Sequence, residues 1–107
     1  MTTFDRRKDS FEAKFARDEE LRFKATARRN RLLGLWAAEK LGRTGDDAET
    51  YAREVVRADF QEAGDRDVFR KLRQDFDAAG VQVSDHQIER SMSDLMERAV
   101  ADVENAR

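Results

Sequence analysis

The sequence predicts an all-α protein, a four-helix bundle preceded by a mobile N-terminal arm that can itself become helical. Three observations carry this expectation. Proline is absent from the 107 residues and only five are glycine, so little interrupts a helix. Apolar residues beyond residue 20 recur at three- and four-residue intervals, the spacing of one helical face. Gly42, Gly64 and Gly80 stand where those periodic runs stop, as helix-ending glycines do.

Residues 1–20 form the predicted arm. Phe4, Phe11 and Phe15 share one side of a helix, at spacings of seven and four, because each residue advances about 100°. So narrow a stripe does not hold an isolated helix together in water. Either the arm covers its own bundle, as ordinary packing, or it orders in the groove of a partner; periodicity leaves the two open. Its charges are mixed, with Arg6, Arg7, Lys8, Lys14 and Arg17 set against Asp5, Asp9, Glu12, Asp18, Glu19 and Glu20.

The predicted four-helix domain spans residues 21–107. Its first helix starts near Asp18 to Leu21 and ends at Gly42. Leu32, Leu33, Leu35, Trp36, Ala37 and Ala38 cover nearly every side of it, and a helix apolar all round must be enclosed by others. Gly34 lies inside this run at a cost of about 1 kcal/mol relative to alanine, which predicts close approach of a neighbouring helix. The second helix opens on Asp46 and Glu49, a capping-box spacing. It places Ala48, Tyr51, Ala52, Val55, Val56, Phe60 and Ala63 inward and closes at Gly64. Asp65 caps the third, which buries Val68, Phe69, Leu72 and Phe76 and ends at Gly80. Val81 and Val83 anchor a short extended link. Ser84 and Gln87 then form a capping box for the last helix, whose inner face is Ile88, Met92, Leu95, Met96, Ala99 and Val103.

Composition excludes several functions. Charged residues make up 41% of the chain, yet the net charge is only −2, which provides no general attraction to nucleic acid or an acidic membrane. No apolar run approaches the roughly 18 residues of a membrane span, and the polar stretch Met1 to Lys8 predicts no secretory leader. A cytoplasmic protein is expected. With no cysteine there is no thiolate metal site, and the one histidine offers no recognisable Ser/His/Asp arrangement. His86 falls in the first turn of the last helix and reads as a solvated residue. Asp46 and Asp47 are explained by the positive end of a helix dipole without catalysis. The isolated glycines make no phosphate-binding loop. An enzyme is not expected, nor any obligatory cofactor.

One basic cluster stands out. Arg22, Lys24, Arg28, Arg29 and Arg31 run without an intervening acid. Helical geometry groups Lys24, Arg28 and Arg31, with Arg22 and Arg29 on another side. The split argues against a nucleic-acid groove reader and for a solvated, partner-facing surface. Guanidinium groups of this kind also suit the phosphates of a nucleotide.

The runs Phe11-Glu12-Ala13-Lys14-Phe15-Ala16 and Ala27-Arg28-Arg29-Asn30-Arg31-Leu32-Leu33-Gly34-Leu35-Trp36-Ala37-Ala38-Glu39-Lys40-Leu41-Gly42 closely resemble the bacterial zeta subunit, an inhibitor of F-type ATP synthase. Tyr51 to Phe60 and Glu62 to Asp65 continue the resemblance. It implies a four-helix bundle with an inhibitory N-terminus over residues 1–19. That segment would enter the catalytic alpha/beta interface of the ATPase head, become helical and block rotation in the hydrolytic direction, with gamma as a further neighbour. Phe4, Phe11 and Phe15 would then be apolar anchors, and Arg6, Arg7, Lys8, Lys14 and Arg17 would meet acidic partner surface. The resemblance places the protein in the cytoplasm, peripheral to the membrane-bound synthase. It also implies ATP or ADP as a regulatory ligand, for which Arg22, Lys24, Arg28, Arg29 and Arg31 are the candidates. An alternative is a nucleotide-binding bundle with weak or lost inhibition. Arg6-Arg7-Lys8 is more basic than the family pattern, and Arg17 stands where a histidine is common. Arginine stays protonated at any physiological pH, so no pH switch is expected there.

Overall fold

The computed structural model describes residues 19–59 and 65–106. Within them lie four helices: α1 (Glu19–Lys40), α2 (Gly45–Ala58), α3 (Arg66–Ala79) and α4 (Asp85–Asn105). No strand occurs among the described residues. The expected arm over residues 1–20 falls outside them except for Glu19 and Glu20, and so do Phe60, Ala63 and Gly64 of the expected second helix.

The apolar first helix is covered only in part: Leu33, Gly34, Ala37 and Ala38 are buried, whereas Leu32, Leu35 and Trp36 stay partly accessible and Phe23 is exposed. Helix α1 packs against both α2 and α4, and α3 closes the bundle by contacting the same two helices. Leu33, Ala37, Ala38, Tyr51, Val55, Val68, Leu72, Phe76, Val83, Ile88 and Met92 form one continuous core. Trp36 and Phe76 meet edge to face, with centroids 5.9 Å apart and planes at 90°. Such a pair adds about 0.5–1.5 kcal/mol beyond its buried area. The expected inner face of α4 is graded: Ile88, Met92 and Ala99 are buried, whereas Leu95, Met96 and Val103 remain partly accessible.

Gly34 sits where α1 and α2 cross. A Cβ added there would lie 2.6 Å from the Cα of Ala52, so the glycine is required by backbone approach. At the end of α1, Gly42 has φ +77°. The Arg43 amide donates to the Ala38 carbonyl at 2.9 Å and the Gly42 amide to Glu39 at 3.1 Å, which together make a Schellman cap. Gly80 ends α3 in the same left-handed region.

Three helix ends differ from expectation. The N-cap of α2 is Thr44, with no side-chain capping bond, so Asp46 and Asp47 lie inside the first turn, facing the positive end of the dipole. Glu49 takes no part in a capping box because Arg31 holds its carboxylate, at 2.7 and 3.2 Å. Helix α2 stops at Ala58, with Asp59 as its C-cap, rather than running to Gly64. Asp65 occupies the N-cap of α3 without capping it, its carboxylate being engaged by Arg29. At α4 the capping box forms as expected: the Gln87 amide donates to Ser84 Oγ at 3.1 Å and the Ser84 amide to Gln87 Oε1 at 2.8 Å.

Candidate interaction surface

The five cations of the basic cluster leave α1 in different directions, and for Arg28, Arg29 and Arg31 carboxylates from beyond α1 fix where they go. Arg31 points toward α2 and makes a bidentate pair with Glu49. This hydrogen bond raises the Arg31 pKa and lowers that of Glu49 from their ordinary values. Arg28 turns the other way and donates to Asp102 of α4 at 2.8 Å. Lys24 pairs with Glu20, one turn back, at 2.9 Å. Arg22 is exposed and also engaged. The expected grouping of Lys24, Arg28 and Arg31 is therefore broken up: Arg28 and Arg31 go to two different neighbouring helices, and Lys24 pairs along α1 itself. A shared helical side brings Cβ atoms together, but long side chains swing to the nearest counter-charge.

Arg29 departs furthest from expectation, since it is not solvated. Its side chain is 2% exposed, against 53% for its partner Asp65. The guanidinium donates to Asp65 at 2.7 and 3.3 Å and to Asn30 Oδ1 at 2.7 Å. Asn30 is buried as well and hydrogen-bonds Asp59, at the end of α2. Burial pushes the Asp59 carboxyl above the ordinary aspartate range, against the lowering effects of Asn30 and Arg29. Asp67 is buried beside them and accepts from the Val68 amide at 2.9 Å. A polar knot thus joins α1, the end of α2 and the start of α3. No buried side-chain nitrogen or oxygen lacks a partner among the described residues, as a buried network requires. The knot reaches the surface at a cleft of about 440 Å³ lined by Arg29, Asp65, Glu89, Met92, Ser93, Met96 and Glu97.

A second polar contact lies at the other end of the core. The buried Tyr51 hydroxyl donates to Asp75 at 2.7 Å, and Lys71 meets the same carboxylate at 3.0 Å. Burial, then the Asp75 carboxylate, pushes the phenol well above its ordinary range. A tyrosine held in this way is a structural donor, unsuited to proton transfer at neutral pH. His86 is exposed in the first turn of α4. Among the described residues no group of three His, Cys, Asp or Glu side chains is placed to hold a metal ion. Nor is any helix there long and apolar enough to cross a membrane.

Phe4, Arg6, Arg7, Lys8, Phe11, Lys14, Phe15 and Arg17 lie outside the described residues. The described surface does contain two arginines that the sequence reading overlooked. Arg53 and Arg57, one turn apart on α2, border a notch of about 280 Å³ together with Arg31, Ala52 and Val56. Their i, i+4 spacing was visible in the sequence. Their meeting with Arg31 depends on the close crossing at Gly34.

Comparison with known proteins now identifies this fold. The family model for ATPase inhibitor subunit zeta matches residues 1–102. The chain belongs to that family. A chain solved by solution NMR is 45% identical, with a TM-score of 0.72 over 81% of this chain and 99% of the other. No curated protein matches. The family's description, ATPase inhibitor subunit, gives the chain a regulatory role toward an ATPase.

Proposed function

We propose that this chain restrains ATP hydrolysis by F-type ATP synthase, with residues 1–19 wedging as a helix into the catalytic alpha/beta interface, near gamma, and blocking rotation. The observation that carries this reading is the extent of the family match, which takes in residues 1–18 together with the bundle. The phenylalanine stripe then belongs to the inhibitor itself. Energetics limit the kind of site it enters. Ordering the arm costs roughly 1–2 kcal/mol per residue in backbone entropy, whereas each buried phenylalanine returns about 1.5–3 kcal/mol. Three phenylalanines cannot offset that cost. The arm must therefore enter a deep interface where Arg6, Arg7, Lys8, Lys14 and Arg17 find carboxylates and the backbone is enclosed, and a shallow patch is insufficient.

A nucleotide bound by the basic cluster fits less well. ATP or ADP at Arg22, Lys24, Arg28, Arg29 and Arg31 would have to displace Glu20, Asp102, Asp65 and Glu49 from four of them. Those cations also point toward different helices.

The test is ATP hydrolysis by the cognate synthase head, titrated with the full chain and with a chain lacking residues 1–18. Only the full chain should inhibit. Phe11→Ala should raise the midpoint about 10- to 100-fold, since each 1.4 kcal/mol is a factor of ten. Equal inhibition by both chains would refute the wedge, and inhibition by neither would refute the inhibitor role.

A further inference from the structure

Helices α1 and α2 are nearly in backbone contact at Gly34 and Ala52, and the side chains around that crossing stand above it as walls. Arg31 rises from α1, Arg53 and Arg57 rise from α2, and Ala52 and Val56 provide an apolar floor. The notch measures about 280 Å³. Its positive charge is only partly answered. Glu49 pairs with Arg31 and also attracts Arg53, and Arg53 donates to the Thr50 hydroxyl at 3.3 Å. Arg57, in the last turn of α2, has the negative end of the helix dipole but no ion pair with a carboxylate among the described residues. On a chain of net charge −2, where Arg28, Arg29, Lys71 and Arg73 are each matched to an acid, the three arginines of the notch outnumber the one carboxylate that faces them.

We infer that the notch is a docking site for an acidic helical segment of a polypeptide partner. Carboxylates one turn apart would face Arg53 and Arg57, and an aliphatic side chain between them would rest on Ala52 and Val56. Three features favour a polypeptide over a phosphate ligand. The notch lies along the C-terminal half of α2, where backbone amides are committed to the helix, so no helix N-terminus is offered to a phosphate. No aromatic ring lines it on which a base could stack. Its floor is apolar, which suits a side-chain anchor and wastes a triphosphate. Arg31 is also held in position by its bidentate pair, which reduces the entropy lost on docking. The proposed function enters only in naming the partner: the acidic segment would lie on the ATP synthase head, so that the bundle grips its exterior while the arm enters the interface.

The experiment compares the full chain with a full-length Arg53→Glu/Arg57→Glu variant and an Arg57→Lys variant. Each is assayed for binding to the cognate head and, separately, for inhibition of hydrolysis. Both arginines are exposed, so the double variant should fold. Because Arg57 lies in the last turn of α2, reversing it against the helix dipole should lower the melting temperature by only a few degrees. The double variant should bind the head at least tenfold more weakly and with a flatter salt dependence, yet reach the same inhibition at saturation. Arg57→Lys should stay within about threefold. Equal binding by wild type and double variant overturns the docking site and leaves the inhibitor reading standing. Arginine-dependent binding without inhibition supports the site and removes the inhibitor reading. No binding by wild type overturns both. A parallel titration with ATP and with inorganic tripolyphosphate covers the phosphate alternative. Tight binding there that is lost in the double variant, with head binding unchanged, overturns the polypeptide assignment.

Discussion

Gly34→Ala is the substitution whose outcome follows most directly from the structure. On an open helix it would stabilise by about 1 kcal/mol, because alanine is the better helix former. Here the new Cβ would lie 2.6 Å from the Ala52 Cα, 3.2 Å from its Cβ and 3.3 Å from the Val55 Cβ, whereas ordinary contact begins at 3.4 Å. The first of these atoms is backbone and cannot rotate away. Helices α1 and α2 must therefore separate locally by close to 1 Å, and a gap of that size forfeits roughly a quarter to a half of each contact's dispersion energy along the seam. Overpacking of this kind costs about 1–3 kcal/mol. The unyielding backbone puts Gly34 at the upper end, and after the propensity gain the net loss is about 2 kcal/mol. For a domain of this size that lowers the melting temperature by roughly 8–16 °C. Thermal and urea unfolding followed by far-UV circular dichroism would measure it, with the urea midpoint moving and the slope unchanged. Adding Ala52→Gly should restore only part of the loss, because the shortest contact is to the Cα. A melting temperature equal to or above wild type would refute the close-approach account of Gly34.

Two further predictions concern the polar knot. Asp65→Ala should destabilise the bundle by about 3 kcal/mol in urea unfolding, because removing one partner strands a buried charge. Arg29→Met should cost less, about 1–2 kcal/mol: the half-exposed Asp65 carboxylate returns to water, and only the buried Asn30 oxygen loses a donor. The reverse order would contradict the assignment of Arg29 as the buried member. Asp59 gives a pH dependence of definite sign. Its folded-state pKa is raised, chiefly by burial, so the native state binds the proton more tightly than the unfolded chain. Its contribution to stability therefore falls as pH rises from the ordinary aspartate value through the folded one. Asp59→Asn, which keeps an acceptor for Asn30, should raise the melting temperature at neutral pH and converge with wild type in acid. A stabilisation that persisted unchanged in acid would rule out Asp59 as its source.

Much of the architecture was legible in the sequence because it rests on local rules. The buried face of α1, the close approach at Gly34, the left-handed Gly42 and Gly80 and the Ser84–Gln87 box each depend on a few neighbouring residues. Arg29 was not legible. It sits in an uninterrupted basic run, and its burial is decided by Asp65, 36 positions away, together with Asn30 beside it. The same long-range competition undid the expected caps. Glu49 and Asp65 have the right spacing to serve a helix start, but an arginine with several donors outcompetes a backbone amide for a carboxylate. The notch at Arg53 and Arg57 was hidden for a related reason, since its third wall belongs to another helix.

These exchanges explain how so polar a chain can keep a defined surface. Exposed ion pairs are individually worth about 0–1 kcal/mol, so Arg28–Asp102, Arg31–Glu49 and Arg73–Asp77 do little to hold the helices together; the core around Leu33, Tyr51, Leu72, Phe76 and Ile88 does that. What the pairs accomplish is cancellation. With most cations matched to an acid, the bundle presents little net field, and association with unrelated acidic or basic surfaces is suppressed. Against that background, an arginine with no ion pair among the described residues is available to a partner. The close packing at Gly34 gives Arg57 and its neighbours an apolar floor as well as charge, the combination that distinguishes a docking site from a solvated face. The same glycine thus governs both the stability of the α1–α2 seam and the shape of the notch above it. Gly34→Ala, assayed well below its melting temperature, should weaken binding to the head as well as the fold.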